Sequence, residues 1–280
     1  MIEDDPRLQP RYRMPRVFGA LPGPRNLPGD KQQLPNRQTS TVLSLAARTD
    51  AARLSELLPP GCELDGPPQF SVSLHEMQDI RWLAGHGYSM LVVSVRMKYR
   101  DPVTGWRHGE FVPVLWENLG DPIITGREEL GMPKLYAEIP PLDCGGQRCV
   151  GTAAWKGFEF FRMTLSDLRE ATVQAESAAG MFFHKYIPRT GALHEAEVDS
   201  LRYEESMEGA AGYAVPVPVS RQQGVGSFAF REARWEDMPL QYPIVNWLAA
   251  LPVNEILTAT ITRMAVVPSS ATSASATRRG

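Results

Sequence analysis

The sequence predicts an α+β protein, an antiparallel, barrel-like sheet body with a few flanking helices. Three observations lead there. Most of the chain from residue 69 to residue 267 breaks into short alternating or β-branched runs separated by turn residues. Only one stretch carries a clean helix signature with a cap and a stop. At 280 residues and 43% hydrophobic content, the chain can bury a full core in one large domain or two smaller ones.

Residues 1–38 hold seven prolines and little periodicity, which predicts an irregular arm lying over the body or over a neighbouring subunit. In "RTDAARLSELLPPG", Thr49 or Asp50 caps a helix, Leu54, Leu57 and Leu58 form its apolar stripe, and Pro59-Pro60-Gly61 ends it. "FSVSLHEM" alternates as a strand does. "YSMLVVSVRMKY" and "GEFVPVLWEN" are two more strands, joined as a hairpin through "RDPVTGWRHG". Runs of the same style follow in "GTAAWKGFEFFRMTLS", "MFFHKYIPR", "LHEAEVDSLRYEE" and "VGSFAFREARWEDMP". In "EILTATITRMAVV", Ile256, Thr258, Thr260 and Thr262 alternate with Leu257, Ala259 and Ile261. The closing residues 269–280 are small, polar and low in complexity, so a disordered tail is expected and the domain proper spans 39–268.

Composition excludes several classes of function. A net charge of −3 and a pI near 6.0 imply no basic face for nucleic acid. No apolar run approaches the roughly 18 residues that a membrane helix needs. The acidic, proline-bearing start "MIEDDPRLQP" is not a secretory signal. Cys62, Cys144 and Cys149 lack CxxC spacing, so they are expected as free thiols in a reducing cytoplasm, without a zinc site. The five histidines are scattered and form no HExxH or HxH pair, which favours surface or structural roles. "GVGSF" lacks a third glycine, and neither a phosphate loop nor a GxSxG elbow is present. No metal and no cofactor is expected.

The remaining chemical feature is "GREELGMPKLYAEI", residues 126–139. Only five of the 29 basic residues are lysines, and Lys134 lies between Pro133 and Leu135, just beyond Met132. One reading is a stem on apolar surface with its ammonium in water. The other is an amine meant to lose its proton. Lysine titrates near 10.4 in water, and burial or a second cation lowers that by several units. A neutral amine attacks a ketone to form an iminium, which then acts as an electron sink for the neighbouring carbon.

Read along its length, the chain resembles the acetoacetate decarboxylase superfamily. "GREELGMPK" fits that family's GRE…PK segment, with Lys134 in the place of the Schiff-base lysine. "ARTDAARLSELLPPGCELD" looks like its early helix, "VGTAAWKGFEFFRMTL" its "GTLDYG" strand pair, "MFFHKYIPR" a "FMLKIIP"-type strand, and "LPVNEILTATITRMAVVP" its "LPVKEV" closing segment. The likeness covers roughly residues 38–268 in order. It implies a cone-like antiparallel β-barrel with flanking helices, a homo-oligomer, and a catalytic Lys134. There are departures too. The family places a second lysine directly after the first, and here that place holds Leu135. The family's early arginine would fall near Ser40, with Arg37 offset, and its glutamate would fall in "AGHGYSM", which has no carboxylate.

These departures resemble the branch that keeps the Schiff base but joins pyruvate to an aldehyde by aldol condensation and dehydration. Decarboxylation of acetoacetate or a related β-keto acid is the competing enzyme reading, and a non-catalytic binding module on the same fold is the third. Glu255 in "LPVNEI" is the candidate general acid/base, with a strand-start carboxylate paired to an arginine as its bland alternative. Arg127 is the nearest cation for a substrate carboxylate, and equally able to hold the loop through Glu128 or Glu129. Met132 and Leu135 would line the substrate pocket, and Tyr88 could donate to a substrate oxygen.

Overall fold

Alternation builds the body. In β1 (Thr39–Arg48), Leu43, Leu45 and Ala47 are fully buried and the residues between them are half-buried. The same period runs through β3 (Gln69–Gln78) and β4 (Tyr88–Asp101), where Phe70, Val72, Leu74, Leu91, Val93 and Val95 face inward. The computed structural model describes residues 34–173, 180–192, 194–205 and 216–266, preceded by Met14, Leu27 and residues 29–31. Most of the proline-rich arm and the whole C-terminal tail lie outside the described residues.

The remaining strands are β2 (Cys62–Leu64), β5 (Gly105–Glu117), β6 (Lys134–Tyr136), β7 (Asp143–Gly145), β8 (Arg148–Trp155), β9 (Phe158–Ala171), β10 (Gly180–Pro188), β11 (Ala196–Glu204), β12 (Val217–Phe230) and β13 (Glu255–Ala265). All the described strands join one sheet, paired in the order β11-β10-β5-β4-β3-β1-β13-β12-β9-β8-β7, with β2 on β4 and β6 on β5. Most pairs are antiparallel, as expected. The β10–β5 and β5–β6 pairs are parallel. The body is therefore a mixed sheet with few helices, and it is open rather than closed into a barrel.

The sheet nevertheless curls strongly. Five strands lie between β5 and β9 in the pairing order, yet the rings of Trp116 and Phe160 stand 5.2 Å apart. The main core fills the inside of that curl, and α3 (Tyr242–Ala249) packs onto it through Val245 and Leu248. Trp116 Nε1 donates to Gln241 Oε1 at 2.7 Å, which anchors the start of that helix to β5. Burial of the indole N–H is thereby satisfied.

The predicted first helix is shorter than its apolar stripe suggested. α1 covers Ala51–Ser55, capped by Asp50, whose side chain accepts from Arg53 N at 2.8 Å. Leu57 and Leu58 follow it in a turn and still pack on the cores. The expectation of free thiols holds for Cys62 and needs correction for the other two. The turn in "DCGGQRC" places Cys144 directly opposite Cys149 in the β7–β8 hairpin, and the two are joined as a disulfide. Among the described residues no helix is long and apolar enough to cross a membrane.

Candidate active site

The site forms where β5 hands over to a helical turn and the chain returns as β6. After Glu117 the chain makes α2 (Gly120–Thr125), and residues 126–130 continue it as one π-helical turn. Gly131, at φ 77°, ends the turn in the left-handed region that glycine adopts without strain. The chain then runs antiparallel to the helical turn and pairs with β5 in parallel, matching Leu115 to Lys134 and Glu117 to Tyr136. This register places Lys134 on the same face of the sheet as Leu115 and Glu117, away from the main core.

Lys134 is 7% exposed and Glu117 is fully buried. Lys134 Nζ lies 2.7 Å from Glu117 Oε1 and donates to the carbonyl of Pro122 in α2 at 3.1 Å. Apart from the lysine contact, neither oxygen of Glu117 has a hydrogen-bond partner among the described residues. Burial pushes the Glu117 carboxyl above the usual glutamate range, and the Lys134 amine beside it opposes that shift. A buried ion pair this poor in hydrogen bonds contributes little to stability, because desolvation of both charges offsets their attraction. A buried pair of this kind is a candidate for chemistry.

The surroundings are apolar. Val112, Leu115 and Phe183 form a small cluster on this face, joined by the half-buried Val92, Met132 and Met181. Gly126 supplies the room for the lysine. A Cβ there would stand 2.3 Å from Lys134 Cε and 2.7 Å from Nζ. The Gly126 backbone is ordinary right-handed helix, at φ −65° and ψ −41°. Space, not conformation, is therefore what requires glycine at this position.

The sequence-predicted residues divide. Lys134 and Met132 meet at the site. Tyr88 opens β4 on the same face, two residues before Met90, which pairs with Glu117. Arg127 Nη1 donates to the backbone carbonyl of Lys134 at 2.9 Å, so this donor braces the strand that carries the lysine. Leu135 belongs elsewhere: strand alternation turns it to the opposite face, where it packs against the main core. Glu255 starts β13 directly across from Arg48 in β1 and pairs with it at 3.0 Å, both half-exposed. Among the described contacts none joins Glu255 to Lys134.

The acid beside the lysine was missed in the sequence, although "VPVLWEN" signalled it: a carboxylate at the end of an apolar strand needs a partner. Asn118, next to it, locks the region. Its Oδ1 accepts from Ser89 N at 2.8 Å and its Nδ2 donates to Ile139 O at 3.0 Å, tying β4, β5 and the segment after β6 together. Among the described residues no group of three or more His, Cys, Asp or Glu could hold a metal ion.

No functionally curated protein is significantly similar in sequence. Solved structures are similar in fold. An acetoacetate decarboxylase from Legionella pneumophila aligns with a TM-score of 0.62 at 18% identity, over 88% of this chain and 90% of that one. A second acetoacetate decarboxylase aligns with a TM-score of 0.63 at 16% identity, over 86% and 96%. The enduracididine biosynthesis enzyme MppR, complexed with the condensation product of pyruvate and imidazole 4-carboxaldehyde, aligns with a TM-score of 0.56 at 14% identity, over 87% and 93%. The acetoacetate decarboxylase family itself matches the sequence from residue 22 to residue 269, a span holding both members of the buried pair. The chain belongs to the acetoacetate decarboxylase family.

Proposed function

We propose that this protein is a Schiff-base lyase that joins pyruvate to an aldehyde with loss of water. The observation that carries the reading is the Lys134–Glu117 pair: one amine and one carboxyl, buried 2.7 Å apart on the face that holds the Val112–Leu115–Phe183 cluster. MppR, with its pyruvate and condensation-product complexes, supports the choice of substrates by likeness of fold.

Glu117 takes a proton from the ammonium, and the freed amine attacks the ketone carbon of pyruvate. Glu117 returns that proton to the carbinolamine hydroxyl, and loss of water gives the iminium. Glu117 then removes a proton from the adjacent methyl group, and the electron pair settles as an enamine. The enamine carbon bonds to the aldehyde carbon, whose oxygen takes a proton from Glu117. Glu117 takes the second proton from the former methyl carbon and returns it to that hydroxyl, which leaves as water, and hydrolysis of the iminium releases a β,γ-unsaturated 2-oxo acid and restores the amine. Arg127 acts as a positioning residue, holding the β6 backbone. The second reading, favoured by family membership itself, uses the same iminium to take the electron pair left when a β-keto acid loses CO2.

Borohydride reduction with pyruvate, followed by peptide mass measurement, tests the reading. The expected result is one stable adduct on Lys134, absent in Lys134→Ala. No adduct with either pyruvate or acetoacetate would sink both enzyme readings and leave a binding module. Glu117→Gln keeps the shape and removes the proton acceptor, so trapping should slow about 100-fold. New absorbance from pyruvate plus an aldehyde, set against CO2 release from acetoacetate, then separates the two reactions.

A further inference from the structure

The face that carries Lys134 continues across the sheet. Glu117 pairs with Met90 in β4, and Met90 pairs with His75 in β3. In the next row Lys134 pairs with Leu115, Leu115 with Val92, and Val92 with Ser73. Directly paired residues point to the same side of a sheet, so Ser73 and His75 look out over the same surface as the reactive pair. They stand two strand spacings from Glu117, roughly 10 Å between backbones, and three from Lys134. Val92 and Met90 form the apolar floor between, and all four of these residues are half-buried among the described residues.

His75 differs from the other described histidines that contact a partner. His108 faces Asp65 and His184 faces Asp199, both carboxylates. His75 has only a hydroxyl: its Nε2 lies 2.8 Å from Ser73 Oγ. Its other ring nitrogen makes no hydrogen bond among the described residues. Burial pushes the imidazole down to about 4, so the ring is neutral and presents one donor and one acceptor. Beyond His75 and Ser73 the rows continue through Val42 and Ser44 of β1 and Thr262 and Thr260 of β13, reaching Arg221 and Gln223 of β12.

We propose that Ser73 and His75 form the far subsite of the active site, receiving the uncharged, hydrogen-bonding end of the aldehyde partner. The proposal rests on the Schiff-base reading above. An aldehyde bound over Val92 and Met90 puts its carbonyl toward the enamine on Lys134 and its distal polar atom toward the imidazole. An apolar distal group leaves the Ser73–His75 donor unpaired.

The test uses pyruvate with two aldehydes of matched shape, pyridine-4-carboxaldehyde and benzaldehyde. Native protein, His75→Phe and Ser73→Ala are compared by kcat/KM for each and by borohydride trapping of pyruvate. The expected result is unchanged trapping in all three, which also shows that the variants are folded. The pyridine-to-phenyl ratio should fall tenfold or more in His75→Phe, and less in Ser73→Ala, where the imidazole remains. Intrinsic aldehyde reactivity cancels between variants. Intact trapping with an unchanged ratio overturns the subsite alone. No trapped adduct in the native protein overturns the Schiff-base reading and the subsite with it.

Discussion

Lys134 and Leu135 are adjacent in the chain and lie on opposite faces of the sheet. A second lysine at 135 would therefore not stand beside the Lys134 amine; its stem would enter the main core. Leu135→Lys should destabilise the protein by about 2 kcal/mol, the middle of the range for a polar group forced into a packed site. It should not create acetoacetate decarboxylation. Urea unfolding and CO2 release measure both, and CO2 release without loss of stability would show that residue 135 reaches the site. Lys134 was legible in the sequence because its apolar neighbours are local. Glu117 was not, because its partner lies across a parallel strand pair 17 residues on. Glu255 looked equally plausible as text, but its register opposite Arg48 commits it to the exterior.

At the scale of elements, the helical turn before β6 does more than connect strands. Its carbonyl at Pro122 receives the lysine, its Gly126 makes the space, and its Arg127 braces the lysine's own backbone. Gly126 has helical angles, where alanine would be favoured by about 1 kcal/mol. Gly126→Ala should displace Lys134, lowering kcat/KM and the trapping rate about 100-fold, with the gain in helix propensity offsetting only part of the cost of leaving Glu117 without its partner. Full activity in this variant would mean that the lysine works from another position. The long strands were readable from their period of two. β1 was passed over because "LAAR" runs straight into a helix cap, although Leu43, Leu45 and Ala47 alternate cleanly. β6 is three residues long and pairs in parallel, so it has no periodicity to read. α3, "YPIVNWLA", is rich in β-branched and aromatic residues and is helical because Val245 and Leu248 are buried by the core.

Across the whole molecule, a pattern of alternating strands does not distinguish a curled open sheet from a closed barrel. Closure depends on register and on whether the edges pair, and here β11 and β7 remain at the ends. The pattern also does not reveal that the sheet's second face gathers titratable groups held toward their neutral forms. Burial lowers His75 to about 4 and raises Glu110 and Glu117. The signs oppose each other. Between about 4 and 6.5 unfolded chains bind a proton at residue 75 that the folded protein does not, so stability falls as pH drops through that window. Above 4.5 the folded protein holds protons on Glu110 and Glu117 that the unfolded chain releases, so their contribution falls as pH rises. His75→Gln should remove the acid limb. Its stability relative to the native protein should rise from pH 6.5 down to about 4, by at most about 3 kcal/mol. Glu110→Gln should gain on the native protein in the other direction, as pH climbs above 4.5. Urea titrations of the three proteins across pH 4 to 8 check both slopes. Parallel curves for native protein and His75→Gln would show that residue 75 is solvated like a surface histidine, and a solvated His75 would be a water-lined wall rather than a dry one.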